Sequence, residues 1–203
     1  MSAEVTPRAI VDFRMGRPPE WVGLPVEGGD ALREWAVTAA EEVTTTEPAR
    51  QRAASQLHDW AVELRRDNPA VAAVWVPDPE AGDVAAVMRI VLVVDDGPLT
   101  LQRYRDVIEP DQRHGVEVLG QREITEIDVP AGPTLCVKER VARGRLFRDV
   151  EEHVIYTVFP PDSDEALDVA FSTPYLSLAP QLIEDAELMV SSLRVEVGSR
   201  VEP

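Results

Sequence analysis

The sequence predicts an α+β fold, a helix/sheet/helix sandwich around a largely antiparallel sheet of about six to seven strands. Three observations predict it. Val150 to Val197 reads as strand, acidic turn, strand, then Phe171-Ser172-Thr173-Pro174, an amphipathic helix and a short terminal strand. Strand-like segments run consecutively from Ala70 to Ser172 instead of alternating one for one with helices. Val84 to Val94 is apolar on both faces apart from Arg89, so it needs cover on both sides.

The elements follow in order. Met1 to Arg8 has little apolar content and reads as a disordered tail (1–8), leaving 9–203 as one domain. Ala9 to Met15 reads as a first strand, with Ile10, Val11 and Phe13 as its inward candidates. Gly16 to Gly29 is rich in proline and glycine and reads as an extended loop pinned by Trp21, Val22 and Leu24. Asp30 is the expected N-cap of a helix to Val43, whose stripe is Leu32, Trp35, Ala36, Ala39 and Val43. Thr44 to Thr46 break that helix because adjacent β-branched residues lose side-chain freedom in it. Thr46 caps a second helix, with Pro48 in the first turn and Ala53, Leu57, Trp60, Ala61 and Leu64 as its buried stripe.

Ala70 to Val76 and Val84 to Val94 form a hairpin around the turn-forming run Pro77 to Asp83. Leu99 to Ile108 is a short helix stopped before Pro110. Val116 to Val129 reads as one long strand bulged near Gly120, and Ala131-Gly132-Pro133 turns it into Thr134 to Ala142. Glu152 to Phe159 and Ala166 to Ser172 make a further hairpin. Leu178, Leu182, Ala186, Met189 and Leu193 mark the stripe of the last helix.

Composition narrows the function classes. Twenty basic against 37 acidic residues leave a net charge of −17. That field repels phosphate backbones and anionic lipid, so neither nucleic acid nor membrane is expected as a partner. Cys136 is the single cysteine, which excludes an internal disulfide. Met1 to Val11 shows no basic stretch followed by an apolar core, so a cytoplasmic location is expected.

Pro19-Glu20-Trp21 at the loop entry, and the closing run Leu167 to Leu193 with Phe171-Ser172-Thr173-Pro174 before its helix, carry a resemblance. In those motifs and in its order of elements, the chain resembles the PsbP-like family of α/β/α sandwiches. That resemblance implies a bacterial protein that acts mainly by binding other proteins. Relatives of this fold include photosystem accessory proteins, an import factor that binds a small GTPase, and bacterial lipoproteins. The lipoprotein signal and its cysteine are not found here, and no family site residue has a counterpart to inherit its role.

No catalytic constellation emerges from the sequence. His58, His114 and His153 have no partner at helical ligand spacing, so no metal site and no cofactor are expected. Asp162, Asp164, Glu165 and Asp168 resemble the opening of a calcium loop, but Thr173 stands where the closing glutamate belongs. They read as an acidic turn, which with Asp78, Glu80 and Asp83 would form an anionic rim if both hairpins ended on one side. Cys136 alternates with charged residues and reads as a packing residue. Gly28-Gly29-Asp30 before a helix reads as capping, not as a phosphate loop.

Two expectations about function remain. The first is a non-enzymatic protein-binding or accessory module, using Trp21 and the basic cluster Lys138, Arg140, Arg143, Arg145 and Arg148 toward a protein partner. The alternative is a small-molecule-binding protein or enzyme with its pocket between sheet and helices near Arg89. A charge inside an apolar strand needs either a carboxylate partner or a bound anion. Homodimerisation as an end in itself is a third possibility.

Overall fold

The computed structural model describes residues 8–26, 31–108, 116–143 and 149–199. Its strands are β1 (Arg8–Arg14), β2 (Trp21–Leu24), β3 (Val71–Trp75), β4 (Ala86–Val93), β5 (Val116–Val118), β6 (Glu123–Val129), β7 (Gly132–Arg143), β8 (Asp149–Val158), β9 (Ala166–Thr173) and β10 (Arg194–Ser199). Its helices are α1 (Leu32–Val43), α2 (Glu47–Leu64), α3 (Leu101–Ile108) and α4 (Ala179–Ser191). The main sheet has eight strands in the order β2-β3-β4-β9-β8-β7-β5, with β6 also paired to β7. Each of its pairings is antiparallel. The α+β sandwich expected from the sequence is therefore the observed fold.

Alternation along the strands sorts the core into layers. Met88, Ile90, Tyr156, Val169 and Phe171 face Leu182, Ala186, Met189 and Val190 of α4. The opposite face of β2 and β3 presents Val22, Leu24, Ala72 and Val74 to the α1–α2 pair, where Ala36, Ala40, Ala53, Leu57 and Ala61 are buried. Farther along the same face, α3 packs Leu101, Tyr104 and Ile108 over Leu135 and Phe159. The cover expected on both faces of β4 is complete only on the α4 side, where Met88 and Ile90 are buried; on the other face Val87 packs against the α1–α2 cluster and Val93 against the α3 cluster, with Arg89 and Val91 between them half-buried. Among the described residues, no helix is long and apolar enough to cross a membrane.

Several local expectations are corrected. Trp21 to Leu24 is an edge strand paired with β3, because Trp21, Val22 and Leu24 are all buried and need their backbone groups bonded. Val116 to Val129 is split at Gly120, whose φ of +81° turns the chain, into two strands that pair in succession with β7. The first strand joins β10 in a separate two-stranded ribbon, and a register shift between Ile10 and Asp12 leaves Val11 57% exposed. Trp21 and Trp75 are the deeply buried indoles, whereas Trp35 and Trp60 are half-buried against α1 and α2. The two acidic turns lie at opposite ends of the strands, since Ala86 pairs at the Trp75 end of β4 and Val93 pairs with Ala166. They form no common rim.

The caps explain how the helices begin. Thr46 accepts a hydrogen bond from Ala49 N at 3.3 Å, as the sequence predicts, with a proline in the first turn. Helix α1 starts after Ala31 without a side-chain cap; Asp30, with Gly28 and Gly29, lies outside the described residues. The carboxylates of the second acidic turn bind the ribbon. Asp164 accepts from Arg8 N and Glu165 from Ile10 N, each at 2.9 Å.

Candidate functional site

Cross-strand register fixes which side chains share the face opposite α4. One row runs Arg89, Ala170, Ile155, Val137 across β4, β9, β8 and β7. The next row is Val91, Asp168, Thr157, Leu135. Helix α3 covers the Leu135 end of the second row, and the α1–α2 pair covers β2 and β3. Between these two covers the sheet is left open as a groove of about 460 Å³.

Arg89 stands at one end of this groove. Its side chain is 41% exposed and pairs with Asp67, in the single 3-10 turn Arg65–Asp67 that closes α2. Asn68 follows in the left-handed region at φ 47°, a conformation asparagine tolerates, and turns the chain into β3. Arg122, between β5 and β6, marks the other end. Its Nε donates to Glu139 Oε2 at 2.7 Å and its Nη1 to Ile108 O at 2.9 Å, tying the end of α3 to β7. The Glu139 side chain is fully buried, so this ion pair sits in low dielectric where each charge depends on the other.

Two hydroxyls complete the polar set. Tyr104 donates to Asp168 Oδ2 at 3.0 Å and thereby holds α3 against β9. Thr157 is fully buried on the floor between Asp168 and Leu135, and its Oγ1 has no hydrogen-bond partner. Buried polar groups are normally bonded, so this hydroxyl is an exception that asks for a cause. In the row beyond Arg89, His153 lies opposite Ser172 and Glu139, with its Nε2 2.8 Å from Glu151 Oε2.

The expected site residues scatter over the fold. Arg89 lies in the groove. Trp21, expected at a partner surface, is 1% exposed, stacks on Trp75 with centroids 6.1 Å apart, and donates its Nε1 to Asp185 Oδ2 at 2.9 Å. Lys138 and Arg140 lie on the α4 face, away from Arg89. Lys138 pairs with Glu187 at 3.4 Å and Arg140 with Glu152 at 3.1 Å. Arg143 ends β7, while Arg145 and Arg148, like His114, lie outside the described residues. Asp67, Arg122, Thr157 and Asp168 were not read as groove residues. They come from four separate segments, and only sheet order brings them together.

Cys136 is buried on the α4 face, opposite Tyr156. Burial pushes its thiol above the ordinary value, opposed in part by the Lys138 ammonium. Burial likewise pushes the Tyr156 phenol well above its usual range.

No family model matches this sequence, and no curated protein matches it either. The fold does have counterparts among solved structures. LpqN of Mycobacterium tuberculosis, described as involved in cell envelope biogenesis, superposes with a TM-score of 0.51 at 9% identity, over 95% of this chain and 86% of that one. The chain is similar in fold to LpqN. A cyanobacterial PsbP (CyanoP) from Synechocystis matches over 97% of this chain and 98% of its own, with a TM-score of 0.45 and 10% identity. A protein from Bacteroides thetaiotaomicron matches at 0.43 and 10% identity, and this chain spans 48% of its length. Each of these likenesses is one of architecture, at identities of 9–10%.

Proposed function

We propose that the chain is a non-enzymatic binding module, an accessory factor that works by holding a small ligand in the groove beside Arg89. The observation that carries this reading is the Thr157 hydroxyl, fully buried in the groove floor and without a protein partner. Leaving such a group unpaired costs on the order of 1–3 kcal/mol, a cost a bound ligand would remove by supplying the missing hydrogen bond. The groove's size lies within the range typical of small-molecule sites, and its mixture of apolar floor and few polar groups is the usual pattern of such sites.

The remaining polar groups support binding over catalysis. Tyr104 is committed to Asp168, and Arg122 to Glu139, so both act as fixed walls and not as a nucleophile beside its base. The protein-partner reading has less support, because Trp21 is internal and Lys138 and Arg140 are paired with Glu187 and Glu152. LpqN's involvement in envelope biogenesis belongs to that protein, and a shared fold does not transfer it.

The test is native mass spectrometry of the protein purified from its own cells, beside Ala170→Trp, which places an indole in the groove floor. A small molecule retained by the wild type and lost from the variant is the expected result. No retained molecule, together with no response to a diverse small-molecule screen, removes the reading.

A further inference from the structure

We infer that the chain has a second ligand site, on the α4 face of the sheet, which takes a medium-chain fatty carboxylate. The apolar tail lies among Met15, Met88 and Met189, and the carboxylate pairs with Arg17. The inference is independent of the groove beside Arg89, which opens on the other face.

The site is a cleft of about 400 Å³ where the segment after β1, the end of α4 and the β2–β3–β4 side of the main sheet meet. Six of its seven lining residues are apolar: Phe13, Met15, Val71, Met88, Ile90 and Met189. Three of the chain's four methionines therefore converge here, from three separate segments. Strand register explains the space. Gly23, Ala73 and Met88 form one row across β2, β3 and β4, and Val71 lies opposite Ile90 in a neighbouring row on the same face. The first two positions of the former row carry no side chain and a single methyl, so little rises from the sheet there.

Methionine walls suit a flexible tail. Their unbranched side chains have three rotatable bonds, fill irregular gaps and repack readily around what enters. Met88 and Met189 are buried at the base of the cleft, while Val71 is 36% exposed at its mouth. A tail entering past Val71 meets side chains that can swing aside. Apolar space of this kind holds no water well and takes apolar occupants.

The seventh residue chooses the head group. Arg17 is the one charged side chain in the lining, which contains no carboxylate on a chain with 37 acidic residues. Among the described residues Arg17 makes no ion pair. Its backbone is anchored on both sides: Gly16 N donates to Ser192 Oγ at 2.7 Å, and Trp21 N to Pro18 O at 3.1 Å. Its guanidinium lies against Gly23, in space that a Cβ there would occupy. That planar fork can hold both oxygens of a carboxylate whose tail turns into the cleft. The net charge of −17 opposes any anion at long range, so the buried tail supplies most of the affinity and Arg17 selects the head.

The experiment titrates the full chain with octanoate, hexanoate, 1-octanol and acetate, each below its aggregation concentration. Methyl NMR at Met15, Met88 and Met189 reports the place of binding, and calorimetry the affinity. Octanoate is expected to shift all three methyls, and acetate none. Hexanoate is expected to bind about fifteenfold more weakly than octanoate, as the loss of two buried methylenes implies. Octanol, which lacks the charge, is expected to bind about fivefold more weakly. Arg17→Gln is expected to remove that fivefold advantage and leave octanol unchanged. Val71→Trp, at a position exposed enough to accept an indole, is expected to close the mouth to both. Ala170→Trp, in the groove on the other face, is expected to leave octanoate binding intact.

Methionine methyls that ignore octanoate, octanol that matches it, or octanoate bound equally well by Arg17→Gln or Val71→Trp overturns the inference. Loss of octanoate in Ala170→Trp overturns it too, because the ligand then lies in the groove. Octanoate bound at the methionines, with no molecule found in the groove, removes the groove reading and leaves this site standing.

Discussion

Tyr156 and Thr157 are consecutive residues of β8 whose buried hydroxyls lie on opposite faces of the sheet, Thr157 without a hydrogen-bond partner and Tyr156 with only the Cys136 thiol, a weak one, beside it. Thr157 lies in the groove floor. Tyr156 does not; it is enclosed by α4, lies edge-on to Phe171 at 6.3 Å, and has the Cys136 thiol as its polar neighbour. A thiol is a weak partner that offsets little of the hydroxyl's desolvation, so Tyr156→Phe should change stability by no more than about 1 kcal/mol, read from the urea midpoint. The same burial gives a pH dependence. Both Tyr156 and Cys136 are raised in the folded chain above ordinary values of 10.0 and 9.0, so the unfolded chain releases these protons first. Stability is full below those ordinary values and falls as the pH climbs through them. The midpoint should drop across that window in the wild type and drop less in Tyr156→Phe combined with Cys136→Ala. A second residue-scale prediction concerns Glu139. Removing this fully buried carboxylate strands the Arg122 guanidinium, so Glu139→Ala should cost about 3 kcal/mol in the same measurement. The contrast with Arg89 shows what a sequence can reveal at this scale. A lone charge in an apolar strand is visible without coordinates, and Arg89 does line the groove; Thr157 reads as one more β-branched strand residue, and its unmet hydrogen bond appears only with its neighbours in place.

At the scale of elements, legibility follows from how local the determining interaction is. Helix α2 is set by neighbours in sequence: the Thr46 cap, a proline where its missing N–H does no harm, and a stripe at helical spacing. Its span and its buried face match the expectation. Strand β2 is set by distant partners. Its four residues contain Gly23 and follow two prolines, which is a loop signature until β3 supplies the hydrogen bonds. The turn between β3 and β4 combines both kinds of control. Asp78 Oδ1 accepts from Glu80 N at 2.8 Å and Ala81 N at 3.2 Å, a local device that the run of turn residues announces. Gly82 then takes φ +70°, where a Cβ would lie 2.4 Å from the Ala49 carbonyl oxygen of α2. Gly82→Ala is therefore strained twice, by its own backbone and by the approach of the helix, and should cost on the order of 1–3 kcal/mol in thermal or urea unfolding. Full tolerance of the alanine would show that the loop can draw back from the α2 N-terminus at no cost.

At the scale of the molecule, the order β4-β9 is the decision that creates the groove. After the β3–β4 hairpin the chain departs through α3, builds β5 to β8, and returns to lay β9 against β4. Nothing in either strand's own sequence names the other, which is why the α+β class was legible and the composition of the groove was not. That long return places α3 over β7 to β9, away from the α1–α2 pair, and leaves the strip between them open. The fold must also contain a net charge of −17. Isolated exposed pairs such as Arg103–Asp95 and Arg52–Asp83 gain little in water. General repulsion among the excess carboxylates acts over the Debye length, about 30 Å at about 10 mM salt and about 10 Å at about 100 mM. Screening should relieve the repulsion more than it weakens the pairs, and the melting temperature should rise with sodium chloride over this range. The rise expected is about 2–4 °C, the equivalent of about 1 kcal/mol for a chain of this size. A melting temperature that falls instead would mean that the paired charges outweigh the unpaired excess.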